Sequence, residues 1–333
     1  MNKILLVFCV MLSFFAVFEE SDGSMARRHR SSFSSSTSST IVRIHLKERI
    51  LVDTTPVRIK GQRDYERIMR SRDFLKCKSN IDLENSRLLP EQIDNILQRC
   101  NPRIITTLKL GQNGLLKVPA IVRHFADLRE LDISDNLINS TQISSVLKYL
   151  LHLKILNIGG NYLTTLPEDI ANLSKLKKLY IFNNTISDIP ENFRTLTSLE
   201  ELYMYQNNFG LDMEKFGNSL RVLEALPKLK ALHLGENKIT ILPDLIGNLS
   251  HLHTLYLNNN QISVVPNTLL RIPNLQFLFL ERNLIKNLSN WHLSDMVNPA
   301  PFRLEVRMWG NLVPEEKRSE VIRNFTTIVS FRF

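Results

Sequence analysis

Apolar residues recur along this chain on a frame of about 23 residues. That frame constrains the fold more than any other feature. The segment from Leu176 to Asn184 reads LKKLYIFNN, which spaces its core letters as LxxLxLxxN. The same frame stands 23 residues earlier and 23 residues later. A fixed period in this range indicates stacked structural repeats, so we predict a solenoid in which each coil contacts only its neighbours.

The asparagine that ends the frame can be followed through eight regular coils. The leucines five places before it step by 23, 25, 23, 23, 30, 23 and 23 residues. Two coils are therefore longer than the rest, and both additions follow the asparagine. The eight asparagines are Asn113, Asn136, Asn161, Asn184, Asn207, Asn237, Asn260 and Asn283.

Each letter of the frame has a physical reason. Alternation in LxL predicts a short strand whose leucines face the interior, and successive strands pair into a parallel sheet. The asparagine is expected to turn inward, because a buried amide is tolerated only when it is hydrogen-bonded. A proline at 119, 167, 190, 243 and 266 presets φ for a short helical return.

The interruptions and ends of the frame are also readable. Residues 137–150 and the seven extra residues between Asn207 and Leu229 have helical apolar spacing. This spacing predicts longer helices that pack on the core, and the alternative is that these insertions carry binding. A degenerate first unit begins near Ile81 and lacks the asparagine. A degenerate final strand is predicted through Val306, Met308 and Asn311.

The pattern resembles the leucine-rich repeat family. The LPxxIxxL tails at residues 166–173 and 242–249 are similar to the subclass found in Ras-suppressor-like intracellular members. The resemblance covers about residues 79–312. It implies an α/β solenoid, arc- or horseshoe-shaped, with a parallel concave sheet and helical or 3-10 returns on the convex side. It also implies protein binding and no shared reaction.

Aromatic residues gather at the strand positions that would face the concave side. Aromatic side chains exposed on a rigid surface are typical of protein interfaces, so we predict a partner-binding stripe there. The alternatives are that large rings merely fill a strand surface, or that the N-terminal arm folds back over them. The eight residues of this stripe are Tyr180, Phe182, Tyr203, Tyr205, His233, Tyr256, Phe277 and Phe279.

The segment before the repeats differs from them in composition. Residues 1–23 carry Lys3 and then a 15-residue apolar run, too short for a membrane-spanning helix and typical of a cleaved signal peptide. An uncleaved anchor or a buried helix is the alternative. Residues 24–78 form a basic, Ser/Thr-rich arm that we predict to be largely disordered, with a short hairpin conceivable at 41–60. Residues 79–312 hold about eight regular repeats and degenerate ends, and 313–333 a C-terminal cap.

The net positive charge of the chain lies mostly in this arm, so it says little about the partners of the repeats. Residues 24–78 hold 14 Lys/Arg against 5 Asp/Glu, whereas residues 79–333 hold 27 against 25. The formal net charge of +9 is therefore concentrated in the arm. A basic arm attracts phosphate, but it lacks regularly interleaved aromatics, so nucleic acid is an unfavoured partner.

No catalytic or cofactor motif is present. There is no HExxH, CxxC pair, phosphate-binding glycine loop or G-x-S-x-G, so we expect no enzyme activity, no metal and no cofactor. Cys77 and Cys100 are the cysteines left after signal removal, and one disulfide between them is a candidate. Six N-x-S/T sequons are candidates for glycosylation, and repetition of the frame itself generates two of them. They are Asn139, Asn172, Asn183, Asn248, Asn287 and Asn324.

These observations favour a non-enzymatic scaffold in the secretory pathway, with no membrane span after signal removal, that recognises a protein on its concave face. The first alternative keeps the fold but places it in the cytoplasm as a Ras-pathway-type signalling adaptor. The second is an enzyme or a nucleic-acid binder, which requires a convergent polar site or a salt-dependent affinity for DNA or RNA. Asn183 lies beside Phe182, so a glycan there conflicts with binding at the stripe.

Overall fold

The computed structural model describes residues 41–43, 51–71, 73–292, 294, 296, 304–325 and 329–333. The predicted signal peptide (1–23) and residues 24–40 and 44–50 of the basic arm lie outside the described residues. In the rest of the arm, strands β1 (Ile41–Arg43) and β2 (Leu51–Asp53) pair antiparallel, as the alternation there predicts.

The main sheet is open and parallel, and its twelve strands follow chain order. Every strand pairs only with the strand of the coil before it and the coil after it, in continuous register from β3 to β14. This confirms the predicted solenoid. The strands are β3 (Val57–Arg58), β4 (Asn80–Asp82), β5 (Thr107–Lys109), β6 (Glu130–Asp132), β7 (Ile155–Asn157), β8 (Lys178–Tyr180), β9 (Glu201–Tyr203), β10 (Ala231–His233), β11 (Thr254–Tyr256), β12 (Phe277–Phe279), β13 (Leu304–Arg307) and β14 (Val329–Arg332).

The leucine at the centre of each strand from β5 to β12 forms the core. Its side chain is fully buried, whereas its two neighbours face the other way and remain at least partly accessible, because successive side chains of a strand point to opposite faces. The frame leucines therefore form one continuous apolar column. They are Leu108, Leu131, Leu156, Leu179, Leu202, Leu232, Leu255 and Leu278.

The frame asparagines are buried or nearly so and join neighbouring coils, as predicted. The Nδ2 group of Asn136 donates to the carbonyls of Leu110, Ile133 and Ser134, each at 3.0 Å. Its Oδ1 accepts from the backbone N–H of Leu115 at 2.9 Å. One amide thus satisfies backbone groups of two coils, which is why it can be buried.

The residue before each of these asparagines has a left-handed backbone conformation, which the frame did not reveal. At Asp135, with φ of 51°, the backbone N–H donates to the Gly159 carbonyl at 2.9 Å. The inter-coil hydrogen bond thus helps to hold a conformation that non-glycine residues rarely adopt. The full row is Gln112, Asp135, Gly160, Asn183, Gln206, Glu236, Asn259 and Arg282.

The returns begin at the prolines that the sequence singled out. Each of the five prolines caps a five-residue 3-10 helix. These helices are η1 (Ala120–His124), η2 (Glu168–Asn172), η3 (Glu191–Thr195), η4 (Asp244–Asn248) and η5 (Asn267–Arg271). Five α-helices complete the described elements: α1 (Gly61–Arg70), α2 (Pro90–Leu97), α3 (Ser140–Leu147), α4 (Met213–Glu224) and α5 (Glu315–Phe325).

The two long coils contain α3 and α4, as their helical spacing predicts. Asn139 caps α3 by accepting from the Gln142 N–H at 3.2 Å, and Asp212 caps α4 in the same way. Phe216 and Leu220 of α4 are buried. The longer insertion is therefore a core-packed return.

The structure differs from the sequence at the N-terminal boundary, which was set at residue 79. Strand β3 and helix α1 lie inside the segment assigned to a largely disordered arm, and β3 pairs in parallel with β4. The frame misses this coil because it lacks the repeated leucine and asparagine. In the coil of β4, the buried Ser86 stands where the asparagine would be, and its N–H donates to Asn113 Oδ1 at 3.0 Å.

At the other end, the degenerate final strand is present as β13, and Asn311 makes the inward amide contact, donating to the Leu280 carbonyl at 2.8 Å. The segment assigned as a cap, residues 313–333, contributes α5 and a further parallel strand, β14. Trp291, Phe325 and Phe331 cluster there with ring centroids 5.7–6.5 Å apart.

The predicted disulfide is not formed. Cys77 and Cys100 are free thiols, one half-buried and one buried. The Cys100 Sγ lies 3.6 Å from the Ile96 carbonyl, inside the core beneath α2, and burial raises the pKa of its thiol to about 12. Cys100 is thus used as a small apolar core residue.

Candidate functional site

Five of the eight predicted stripe residues form one continuous stack across the strand face. This aromatic ladder consists of Tyr180, Tyr203, His233, Tyr256 and Phe279, one ring from each of β8 to β12. Successive ring centroids lie 4.3, 4.1, 3.9 and 4.1 Å apart, and the planes are tilted by 5–25°. The ring faces therefore cover one another, and only ring edges point away from the sheet.

The spacing of the ladder shows which way the sheet bends. Adjacent strands of a sheet lie about 4.7–4.9 Å apart, whereas the rings stand 3.9–4.3 Å apart. A sheet that curves toward its side chains brings those side chains closer together than the strands that bear them. The short spacing of the ladder supports the prediction that these rings lie on the concave face.

Two further stripe residues form a second, shorter row. Phe182 and Tyr205 stack with centroids 4.9 Å apart and planes only 2° from parallel. The Phe182 ring lies over Gly159, where a Cβ would approach a ring carbon to 2.5 Å. Gly159 thus makes room for the first ring of this row.

The eighth residue, Phe277, stands apart on the other side of the ladder. It begins β12 and is 40% exposed, in contrast to the half-buried ladder rings. The structure therefore brings together seven of the predicted residues in two rows and leaves Phe277 as a separate apolar contact.

The ladder is held at its N-terminal end by a charged network. Tyr203 donates its hydroxyl to Glu201 Oε2 at 2.7 Å, and Lys178 pairs with the other oxygen at 2.9 Å. Burial, and then the hydrogen bond to Glu201, raises the pKa of Tyr203 well above its ordinary value. Burial likewise raises the pKa values of Tyr180 and Tyr205.

His233 is neutral in this setting. Its ring lies between Tyr203 and Tyr256, and burial lowers its pKa to about 3. A charged imidazolium would lose its hydration there without gaining an acidic partner. His233 therefore acts as a stacking ring at all physiological pH values.

The C-terminal end of the ladder is a cation that the sequence did not identify. Arg307 stands in register with Phe279, and its guanidinium carbon lies 4.9 Å from that ring centroid. Glu305 accepts from Arg307 Nε at 2.8 Å. The sequence did not show that Arg307 stands beside Phe279, because residues 284–303 interrupt the 23-residue step before β13.

A buried carboxylate lies beside this end. Glu281 is 7% exposed, its Oε2 has no hydrogen-bond partner among the described residues, and burial raises its pKa. Next to it, Arg282 stands 4.7 Å above the ring of Trp309, which is itself 46% exposed. The C-terminal end of the ladder therefore carries charged groups, Glu281 and Arg282, next to the exposed apolar ring of Trp309. The sequence did not predict this combination.

The early coils carry no aromatic side chain on this face. Asp132 accepts from Ser134 Oγ at 2.6 Å and from Asn157 Nδ2 at 2.9 Å. Burial, together with the charge of Asp132, raises the pKa of Asp135 to about 6. This face of the sheet therefore divides into a first part without aromatic side chains, where charged residues such as Asp132 lie, and an aromatic second part.

The glycosylation candidates lie mostly on other surfaces. Asn183 is half-buried beside the second row, and its backbone N–H donates to the Tyr205 carbonyl at 3.0 Å. Asn139 is the cap of α3, and Asn248 donates to Glu224 at 3.3 Å. The exposed candidates are Asn139, Asn172, Asn248, Asn287 and Asn324.

Two observations concern the part of the chain that the structure describes. Within those ranges, no group of three or more His, Cys, Asp or Glu side chains is arranged to hold a metal ion. Nor does any helix there combine the length and the apolar character needed to cross a bilayer.

Comparison with known proteins agrees with this geometry. The leucine rich repeat family model matches residues 126–186, 151–209 and 227–285. No curated protein matches the sequence significantly. Residues 126–209 and 227–285 therefore carry leucine-rich repeats. The predicted fold class is confirmed.

Three solved structures illustrate the likeness. The ectodomain of the Arabidopsis receptor kinase HAESA, in complex with a peptide hormone, is 21% identical, with a TM-score of 0.50 over 76% of this chain and 46% of that one. The Arabidopsis thaliana GASSHO1/SCHENGEN3 ectodomain is 24% identical, with a TM-score of 0.47 over 70% of this chain and 28% of that one. An internalin (inlF) of Listeria monocytogenes is 19% identical, with a TM-score of 0.49 over 85% and 86%. The chain thus spans less than half of either plant ectodomain, and the likeness to HAESA bears on the fold alone.

Proposed function

We propose that this leucine-rich repeat protein is a non-enzymatic scaffold that binds a protein partner on its concave face through the predicted stripe. The observation that carries the proposal is the aromatic ladder. Its rings are held rigidly in place, and their edges face outward at the centre of an open sheet face. Rigid aromatic surfaces of this kind supply much of the binding energy in protein interfaces.

The ladder also specifies how a partner makes contact. Ring faces are covered by neighbouring rings, so a partner meets positively polarised ring edges and the phenol groups of Tyr180 and Tyr256. Phe277 adds a more exposed apolar contact on one side, and Arg307 adds charge at one end. The repeat subclass with LPxxIxxL tails is part of this proposal, with the tails at 166–173 and 242–249 as its support.

The test compares two matched double variants. Tyr203→Ala/Tyr205→Ala removes one ring from each concave row. Tyr149→Ala/Tyr162→Ala removes two tyrosines that are 46% and 63% exposed elsewhere on the chain. We expect proteins captured by the wild type to be retained by the second variant and lost by the first, with circular dichroism showing that both are folded.

A gentler variant separates recognition from packing. Tyr256→Phe keeps its ring in the stack but removes the hydroxyl group. We expect it to melt like the wild type while binding the partner more weakly. Unchanged capture by the alanine double variant, with folding intact, contradicts the proposal.

We further propose that the chain enters the secretory pathway, supported by the apolar run of residues 1–23 and by five exposed sequons. Treatment of protein from a secreting cell with a glycosidase tests this as a mass shift. Asn183 is the sequon expected to stay unmodified, because it is half-buried and lies beside Tyr205. A protein with no mass shift and no secretion favours instead the cytoplasmic signalling adaptor.

A further inference from the structure

A second surface, separate from the concave face, runs along the edge of the sheet where each return enters its strand. Two positions of every coil lie there, two and four residues before the frame leucine. The first holds Arg129, Lys154, Lys177, Glu200, Lys230 and His253 in six successive coils. The second holds Asp127, His152, Lys175, Ser198, Lys228 and His251. We call these two rows the basic edge.

Backbone hydrogen bonds fix the first row as a single file. The N–H of Lys154 donates to the carbonyl of Arg129 at 2.7 Å, and that of Lys177 donates to Lys154 at 2.8 Å. The same 2.8 Å contact continues through Glu200, Lys230 and His253. At about 4.8 Å per coil, the file is roughly 24 Å long.

Positive charge is concentrated here against the average of the repeats. Residues 79–333 hold 27 basic and 25 acidic residues, yet the two rows hold six Lys or Arg and only two acids. The six cations are exposed. Arg129, Lys154 and Lys177 follow one another in adjacent coils, so like charges stand about 5 Å apart at their backbones.

Internal pairing compensates little of this charge. Glu200 pairs with Lys177 at 2.8 Å, and that contact, followed by the charges of Lys230 and Lys228, lowers its pKa. Within the described ranges, no ion pair joins Arg129, Lys154, Lys230 or the outer lysines to a carboxylate. Such a file repels itself and gains from an anionic partner.

The composition of the edge indicates the class of that partner. None of its twelve positions holds an aliphatic residue or a Phe, Tyr or Trp. A protein interface usually has an apolar centre, and single-stranded nucleic acid usually needs aromatic platforms for its bases. An edge of exposed, mostly lysine charges suits a hydrophilic chain whose own charges are closely spaced.

We propose that the basic edge binds a sulfated polysaccharide chain lying along the file. The dense sulfate groups match cations that recur in successive coils, and the sugar hydroxyls suit the polar side chains between them. The saturated sugar backbone needs no stacking surface. This site is independent of the concave-face proposal, because the two use different side chains.

The test uses a size-defined heparin oligosaccharide and the full chain. Arg129→Gln/Lys154→Gln/Lys230→Gln removes three cations of the edge. The matched control, Lys117→Gln/Lys215→Gln/Lys286→Gln, removes three exposed lysines elsewhere and changes the net charge equally. Kd is measured by calorimetry at several salt concentrations.

We expect the edge variant to bind heparin at least about tenfold more weakly and to lose roughly two to three units of its salt-dependence slope. The control and the Tyr203→Ala/Tyr205→Ala variant are expected to bind like the wild type. Hyaluronan, which has fewer charges per sugar, is expected to bind far more weakly.

Three results overturn the proposal. The first is that the edge variant and its matched control lose affinity for heparin equally, which shows that only net charge matters. The second is that single-stranded DNA or polyglutamate of equal charge binds as tightly as heparin, which makes the edge a general anion surface. The third is that the wild type does not bind heparin at moderate salt.

Discussion

The amide ladder makes a quantitative prediction at Asn207, which is 3% exposed. Its Oδ1 accepts from the N–H of Ile186 at 3.0 Å, in the preceding coil. Its Nδ2 donates to the carbonyls of Ile181, Met204 and Tyr205 at 2.9, 3.3 and 3.2 Å. Asn207→Ala removes all four contacts at once.

The four losses are unequal. The Ile181 carbonyl also accepts from Asn184 Nδ2, and the Met204 carbonyl also accepts from Asn237 Nδ2. Neither carbonyl is left without a donor. The Ile186 N–H keeps no other acceptor among the described residues, and a buried donor left unpaired costs about 1–3 kcal/mol. With the weakened carbonyl contacts and a small cavity, we expect a loss of about 2–4 kcal/mol.

The assay combines denaturant unfolding with hydrogen exchange, because a solenoid need not unfold in two states. We expect the melting temperature to fall by about 5–10 °C and the Ile186 amide to lose protection. Asn274→Ala is the control, since that exposed asparagine makes only a 3.4 Å contact with the Ser250 carbonyl. A loss below about 1 kcal/mol, with Ile186 still protected, refutes the reasoning.

Three further outcomes are expected. Gly160→Ala destabilises the chain, because φ is +62° and a Cβ would stand 2.0 Å from Asp135 Oδ1. Gly217→Ala in α4 places its Cβ in open space and raises stability by about 0.4–1 kcal/mol. Thermal melts of the two variants check this. A reductant leaves the melting temperature unchanged, because Cys77 and Cys100 are free, and Cys100 reacts with thiol reagents only on unfolding; a lower melting temperature would reveal a disulfide. Burial raises the pKa of Asp135 from 3.8 to about 6, so the folded protein loses stability as pH rises through that interval and the carboxyl ionises. Asp135→Asn is therefore expected to add about 1 kcal/mol to the free energy of unfolding above pH 7, after allowance for solvent screening, and little near pH 3. Equal gains at both pH values contradict the assignment.

The repeat frame predicted the strands and returns well, because each of its letters has one dominant physical role. Leu179 must be buried and Asn184 must be bonded, so their spacing alone predicts the coil. Pro190 likewise predicts where η3 begins. The same reasoning failed at β3 and β14, where Val57 and Phe331 take the place of the leucine and no repeated letter marks the coil.

The candidate site was predicted in composition but not in arrangement. The position of Tyr203 in the frame shows that its ring leaves the strand face, but stacking depends on sheet curvature, which no local pattern encodes. Arg307 was missed because the interval before β13 breaks the period. The left-handed positions were missed because Gln, Asp, Glu and Arg all occupy them, stabilised there by bonds between coils.

The tight spacing of the aromatic ladder has a thermodynamic consequence. Each inner ring is confined by the ring before and the ring after, so its side-chain rotations are already restricted in the unbound protein. Immobilising a free side chain at an interface usually costs about 0.5–1.5 kcal/mol. A partner that docks on these rings avoids most of that entropic penalty. Because the stacked rings also restrict bending of the sheet, the partner must match a surface whose shape is set before it binds.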